Sequence, residues 1–292
     1  MDKFDEQRAI NLVNILERLI DATGQYINQY SIYPEKGSQA YNELKTFSRE
    51  ESVHTSHSQG SSFVEVSADH IMALIKTISE PVQTIAPWVC LRSALESAAL
   101  ATWMLDPSID ARTRVKRSFA LRYEGFTQQA KIARALKDNT FLKKIEARID
   151  EVEQLALSLG YEKVINKNNK RIGIAQNMKS LTNIVRDSLN EEATYRYLSA
   201  ITHANFWALQ QASFQEVDES DVDMTLMPHT KIFEKSMSPT IIACLCITAA
   251  IVFSKPIWFK SKLFGWDLDQ IRSILDRNFD ALGIDKPMRI WR

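Results

Sequence analysis

The chain has 292 residues, 45% of them hydrophobic and 25% charged, the balance of a globular protein with a substantial core; length alone leaves one large or two small domains open. Lys+Arg and Asp+Glu both count 36, which excludes a global field that would draw in nucleic acid or an acidic membrane, though not a local basic patch. Only 8 Gly and 8 Pro leave little material for the turns of a many-stranded sheet, so an all-α, multi-helix bundle is expected.

In chain order, the N-terminal stretch is acidic and amphipathic, without the basic-then-apolar pattern of a signal peptide. Leu12, Leu16, Leu19 and Ile20 form one apolar stripe on a first helix over about 5–30, and a weaker helix follows near 40–47. The stretch SREESVHTSHSQGSS, rich in Ser and His and without apolar periodicity, reads as a mobile surface loop; His54 and His57 lack a third ligand for a metal. A single helical domain over 1–292 is thus expected, with 1–64 as an N-terminal helix plus flexible loop and 65–292 as the main bundle.

From Ser67 a helix should run to Glu80, where Pro81 interrupts it. Pro87 suits the first turn of the next, and Asp106-Pro107-Ser108 ends that helix and starts another over about 109–137. Leu142, Ile145, Ile149, Val152, Ala156 and Leu159 alternate at three and four residues, a heptad-like seam for packing along another helix, closed by Gly160. KVINKNNKR reads as a basic, Asn-rich loop, followed by a helix over about 180–189 and the amphipathic stretch YRYLSAITHANFW. EVDESDVD is an acidic loop lacking the glycine and final glutamate of an EF-hand. The most apolar run, between Pro239 and Pro256, is shorter than the ~20 residues of a membrane span and reads as a buried core helix. A last helix covers about 267–282.

Cys90, Cys244 and Cys246 are an odd number in apolar stretches, so a disulfide framework is excluded and a reducing, cytoplasmic setting is expected. Neither a metal site nor a cofactor motif is found, and there is no P-loop or GxGxxG.

Two sets of charges stand where an apolar core would not tolerate them alone. Arg92 and Glu96 are the charged residues of the helix beginning at Pro87, spaced to pair, and each should also reach a neighbouring helix, the next one being the candidate. On that next helix Arg122 falls within the apolar stripe of Val115, Phe119 and Phe126, with Arg114 and Arg117 flanking it. Such arginines are either halves of buried ion pairs or an anion site opening into a cleft. Farther on, Arg196, Ser199, His203, Trp207 and Gln210 project as one strip at 100° per residue, which is also what the polar face of any amphipathic helix looks like.

Taken together, Arg92/Glu96, Trp103-Met-Leu-Asp-Pro107, Arg114/Arg117 and Tyr195 to His203 resemble a group of uncharacterised bacterial all-helical proteins. More distantly, Arg196 followed after six residues by His203 is similar to the Arg-x4–6-His signature of HEPN domains; Arg49 to His54 also fits that spacing. The resemblance implies a four- or five-helix core with extra N- and C-terminal helices. It also implies a metal-independent endoribonuclease of the toxin or phage-defence kind, active as a homodimer and countered by an antitoxin or other partner protein. In such an enzyme His203 would take the proton of a ribose 2′-OH, Arg196 would hold the scissile phosphate, Ser199 would orient either, and Trp207 would stack a base. Two alternatives stand beside it. One is a non-catalytic module in which Arg92, Glu96, Arg114, Arg117 and Arg122 form a nucleic-acid or anion site. The other is a regulatory or interaction protein with structural ion pairs and a dimer built on the heptad-like helix.

Overall fold

The computed structural model describes residues 6–79, 81–216, 233–235 and 237–284. Helical periodicity and capping explain most of its elements. The first stripe of leucines lies on α1 (Glu6–Ile27), followed by α2 (Gln39–Thr46), which starts where the Ser38 hydroxyl accepts from the Tyr41 N–H at 3.1 Å. Pro87 sits in the first turn of α4 (Ala86–Leu105), and the Asp110 carboxylate starts α5 (Ala111–Ala135) by accepting from the Thr113 N–H at 2.7 Å. The seam of α6 (Asn139–Ser158) is engaged within the chain: Ile145, Ile149, Val152 and Ala156 are buried against α5. Gly160, with φ 74°, turns the chain out of α6 in the left-handed conformation that glycine adopts without strain. Ser180 caps α7 (Leu181–Leu189); α8 (Glu192–Thr202) and α9 (Phe206–Ser213) follow.

Three expectations are corrected. The Ser/His-rich stretch is not a loop: it is the first half of α3 (Glu50–Ile78), a continuous helix through residues 64 and 65, so no division falls there. Its buried face consists of Val53, Ser56, His57, Gly60, Val64 and Ser67, helically spaced but mostly small or polar. Small residues there let α3 lie close on α4. A Cβ on Gly60 would stand 2.6 Å from Leu105 Cγ, and Ser67 donates to the Ala94 carbonyl at 3.0 Å. Second, the basic Asn-rich stretch is an antiparallel hairpin, β1 (Lys163–Ile165) with β2 (Arg171–Ile174), pinned to α6 by Arg171, which pairs with Glu153 at 2.5 Å and Asp150 at 3.1 Å. Third, the apolar run does not stop at Pro256: α10 (Pro239–Phe264), 26 residues in all, continues through it to Phe264, giving up the bond that a proline nitrogen cannot make.

By length and composition α10 could cross a membrane, but its apolar surface is mostly buried in the chain's own core, packed against α1, α3, α4 and the last helix, α11 (Leu268–Leu282). A short ladder, β3 (Phe214–Glu216) with β4 (Phe233–Lys235), completes the described elements; the acidic loop after Glu216 lies outside the described residues. The result is the expected all-α, multi-helix bundle. Its main core joins α1, α3, α4, α8, α10 and α11, so α1 belongs to it. A second core lies between α5, α6 and the hairpin.

Candidate functional site

The sharpest local chemistry gathers where α4 hands over to α5. Asp106 leaves the helix, Pro107 prevents its continuation, and the Asp106 carboxylate accepts from both the Ser108 N–H (2.9 Å) and its hydroxyl (2.7 Å). Behind this turn lies Arg114, 0% exposed. Its guanidinium donates to Glu43 through Nε (3.0 Å) and Nη2 (3.2 Å), and to the carbonyls of Met104, Asp106 and Ile109. A fixed five-donor fork is the group that can satisfy so many acceptors at once, which lysine could not. The same Glu43 carboxylate contacts His57 Nε2 at 2.9 Å. Burial alone would push the Glu43 carboxyl up, but the His57 and Arg114 hydrogen bonds outweigh it and hold the pKa at about 2. Burial pushes the His57 imidazole down, against the pull of Glu43. Arg114 is therefore half of a buried ion pair and not an anion site in a cleft.

Arg117, one turn on, faces outward instead. Its Nη1 donates to the Trp103 carbonyl and its guanidinium lies 5.0 Å over the Trp103 ring. It lines a cavity of about 320 Å³ together with Trp103, Asp106 and Ser108 from the turn, Lys179 and Asp187 around α7, and Lys255 and Lys262 from α10. Lys179 is paired with Asp187 at 2.9 Å. Lys255 donates one bond, to the Ser188 carbonyl at 2.6 Å, and burial pushes its ammonium down, against the pull of Asp106. Burial likewise lowers the Arg117 pKa, with Asp106 opposing. Among the described residues, Lys262 makes no hydrogen bond or ion pair. Three cations with unused donors thus face one cavity. That arrangement can hold an anion: Arg117 and Lys255 are half-buried, and a cation partly kept from water gains more from a bound charge than one on open surface, while exposed Lys262 adds a charge at the rim.

The remaining residues singled out from sequence fall elsewhere. Arg92 and Glu96 do pair, at 3.0 Å, but their neighbour is α8 and not α5: Tyr195 donates to Glu96 at 3.1 Å and its ring lies 5.7 Å from the Arg92 guanidinium. This cluster sits two to three turns along α4 from Trp103, about 10 Å for Glu96 and about 16 Å for Arg92 by helical rise. Arg122 lies 6.0 Å from the Phe119 ring, and burial lowers its pKa, with Glu51 of α3 opposing. Arg196, its side chain 66% exposed, pairs with Glu192 at 2.8 Å. Ser199 is half-buried, and His203 is exposed at the end of α8.

The strip from Arg196 to Gln210 is corrected at that point. Ala204 has φ 55°, so α9 starts in a new direction, and Trp207, 54% exposed, stands 6.1 Å from the Tyr197 ring without sharing Arg196's face by helical continuity. At the second Arg/His match, Arg49 precedes α3 and meets Glu51 at 3.6 Å, while His54 is exposed beside Tyr33.

Of the predicted arginines, then, the cleft takes Arg117 directly and Arg114 as its support. Sequence reasoning passed over Lys255 and Lys262. The available signal was the one used for Arg92 and Glu96, charges in an otherwise apolar helix. No family model matches the chain, and no curated protein or solved structure does so either.

Proposed function

We propose that this protein is a helical binding module whose cleft at the α4–α5 turn takes a phosphate-bearing ligand of nucleotide size without turning it over. The observation that carries the reading is the set of unused donors on Arg117, Lys255 and Lys262 around a cavity of about 320 Å³. That volume lies at the small end of the range for small-molecule pockets. Arg117 suits the flat, forked geometry of a phosphate, and the two lysines act as point charges beside it. Arg114 and Glu43 hold the turn in place and do not touch the ligand.

The test is calorimetric titration with inorganic phosphate, a nucleoside monophosphate and triphosphate, and a short single-stranded RNA. Affinity for a phosphorylated ligand should fall with added salt and drop about fivefold or more in Lys262→Ala, whose side chain holds nothing in the fold. Salt-independent binding, unchanged affinity in that variant, or no binding up to millimolar ligand would sink the reading.

A second reading is the metal-independent ribonuclease implied by the HEPN resemblance, acting as a homodimer with Arg196 on the phosphate and His203 as the general base. What favours it is that the His203 side chain is exposed and makes no hydrogen bond among the described residues, so its ring is open to a substrate hydroxyl. Cleavage of single-stranded RNA without added metal, abolished by His203→Ala, is the expected result. Cleavage that survives the substitution would refute it.

A further inference from the structure

The Ser/His-rich half of α3 has a second role beyond packing. His54, His57, Ser58, Ser61, Ser62 and Glu65 recur at three and four residues, so they line one face of the helix. That face closes one side of a cavity of about 360 Å³, whose other walls come from the chain after α1, from Leu44 of α2, and from Phe264 and Trp266 at the end of α10. The aromatic wall is rigid: Tyr30 stacks on Trp266 with centroids 4.8 Å apart, and Phe264 meets Trp266 edge-on at 5.7 Å.

Lys260 reaches into this cavity from α10 and is only 6% exposed. Its ammonium lies 5.2 Å from the Trp266 ring and 6.0 Å from the Phe264 ring. Among the described residues it makes no hydrogen bond and no ion pair; burial pushes its ammonium down, against the pull of Glu65. A buried ammonium with three unused donors is costly, and ring faces offset only part of that cost. The hydroxyls of half-buried Ser61 and of exposed Ser58 and Ser62, at the mouth of the cavity, make no hydrogen bond among the described residues and so are open to a ligand, although helical serines commonly bond back to their own backbone. Donors and one cation are therefore presented together at an apolar wall. On α10, Lys260 is turned away from Lys255 and Lys262 by roughly 140–160° at 100° per residue, so this cavity is separate from the cleft at the α4–α5 turn.

The charge balance narrows the ligand. The lining holds one lysine and no arginine, with His57 already engaged by Glu43, so a monoanion is matched more closely than a phosphate dianion, whose second charge would add to the repulsion from Glu65 with no second ammonium to offset it. The walls of Ile27, Leu44, Phe264 and Trp266 call for an apolar body. We propose that this cavity binds a small monocarboxylate with an apolar or aromatic body, its carboxylate on Lys260 and the α3 serines and its body against Phe264 and Trp266.

The experiment titrates the full chain with a series of acids from acetate through octanoate and phenylacetate to a fused-ring aromatic acid, each beside its neutral amide. Calorimetry is read together with the fluorescence of the Trp266 wall. The longer acids should bind at least about tenfold more tightly than their amides, as expected for hydrogen bonds to a charged group. Lys260→Met, which keeps the bulk and removes the charge, should abolish that preference. Ser62→Phe, at an exposed position on the same face, should weaken acid and amide together by filling the cavity. Lys262→Ala should leave all of these affinities unchanged, which separates failure here from failure at the basic cleft. Equal binding of acid and amide, an acid preference that persists in folded Lys260→Met, or no binding by any acid up to millimolar concentration would each overturn the proposal.

Discussion

The buried Glu43 carboxylate makes the most direct prediction of the fold. It accepts from Arg114 at 3.0 and 3.2 Å and contacts His57 at 2.9 Å, and its pKa stands at about 2 against an ordinary 4.5. Because the folded value lies below the unfolded one, the ionised carboxylate contributes stability that is fully present above about pH 5 and is lost as pH falls through the folded value. A fall from 4.5 to about 2 corresponds to about 3 kcal/mol. His57 acts in the same direction: its folded pKa is also depressed, so its neutral form stabilises the fold above the ordinary histidine range and that contribution drains as pH falls below it. Glu43→Gln removes the titrating acid and leaves Arg114 buried without its counter-charge, which should cost about 3–5 kcal/mol at pH 7. Urea unfolding followed by circular dichroism at pH 7, 5, 4 and 3 should therefore show a large gap between wild type and variant that narrows by about 2 kcal/mol between pH 5 and 3, as Glu43 of the unfolded wild-type chain takes up a proton that the folded protein still refuses. A gap of constant size from pH 7 to 3 would refute the assignment of Glu43 as the ionised centre of this cluster.

Other outcomes can be checked on the same preparations. Gly60→Ala should lower stability by about 1–3 kcal/mol, because the new Cβ would meet Leu105 at 2.6 Å; in a mobile loop the same change would be neutral. Ala204→Gly should raise the unfolding midpoint by an amount equivalent to about 1 kcal/mol, since φ is 55° there, whereas a helix running unbroken from Arg196 to Gln210 would lose about as much. Alkylation at pH 8 should label exposed Cys244 readily and spare Cys246, whose buried thiol is pushed up to about 12; equal labelling of both in the folded protein would contradict the packing of α10.

How much of this was legible depends on what each residue's role requires. Helix α1 could be read from its leucine stripe, and α4, α5, α6, α7 and α11 because apolar faces at helical spacing begin at a Ser, Asp or Pro signal. The all-α class followed from those stripes and from the scarcity of Gly and Pro. The first half of α3 could not be read, because its buried face is mostly Ser, His and Gly, with Val53 and Val64 too far apart to mark a stripe. Such residues are buried there only because α4 approaches closely and because His57 meets Glu43, itself bound by Arg114 from 71 residues farther along the chain. The candidate sites divide in the same way. That Arg92, Glu96, Arg114 and Arg117 needed partners was evident from charge in apolar surroundings. Which partner each finds is a matter of tertiary packing: Arg114 goes inward to Glu43, Arg92 to the Tyr195 face, and Arg117 outward to meet Lys255 and Lys262. The stripe around His203 is the converse case. Sequence spacing placed Arg196, Ser199, His203 and Trp207 in line, and a single left-handed residue, Ala204, broke that line, because periodicity describes a helix only for as long as the backbone remains one.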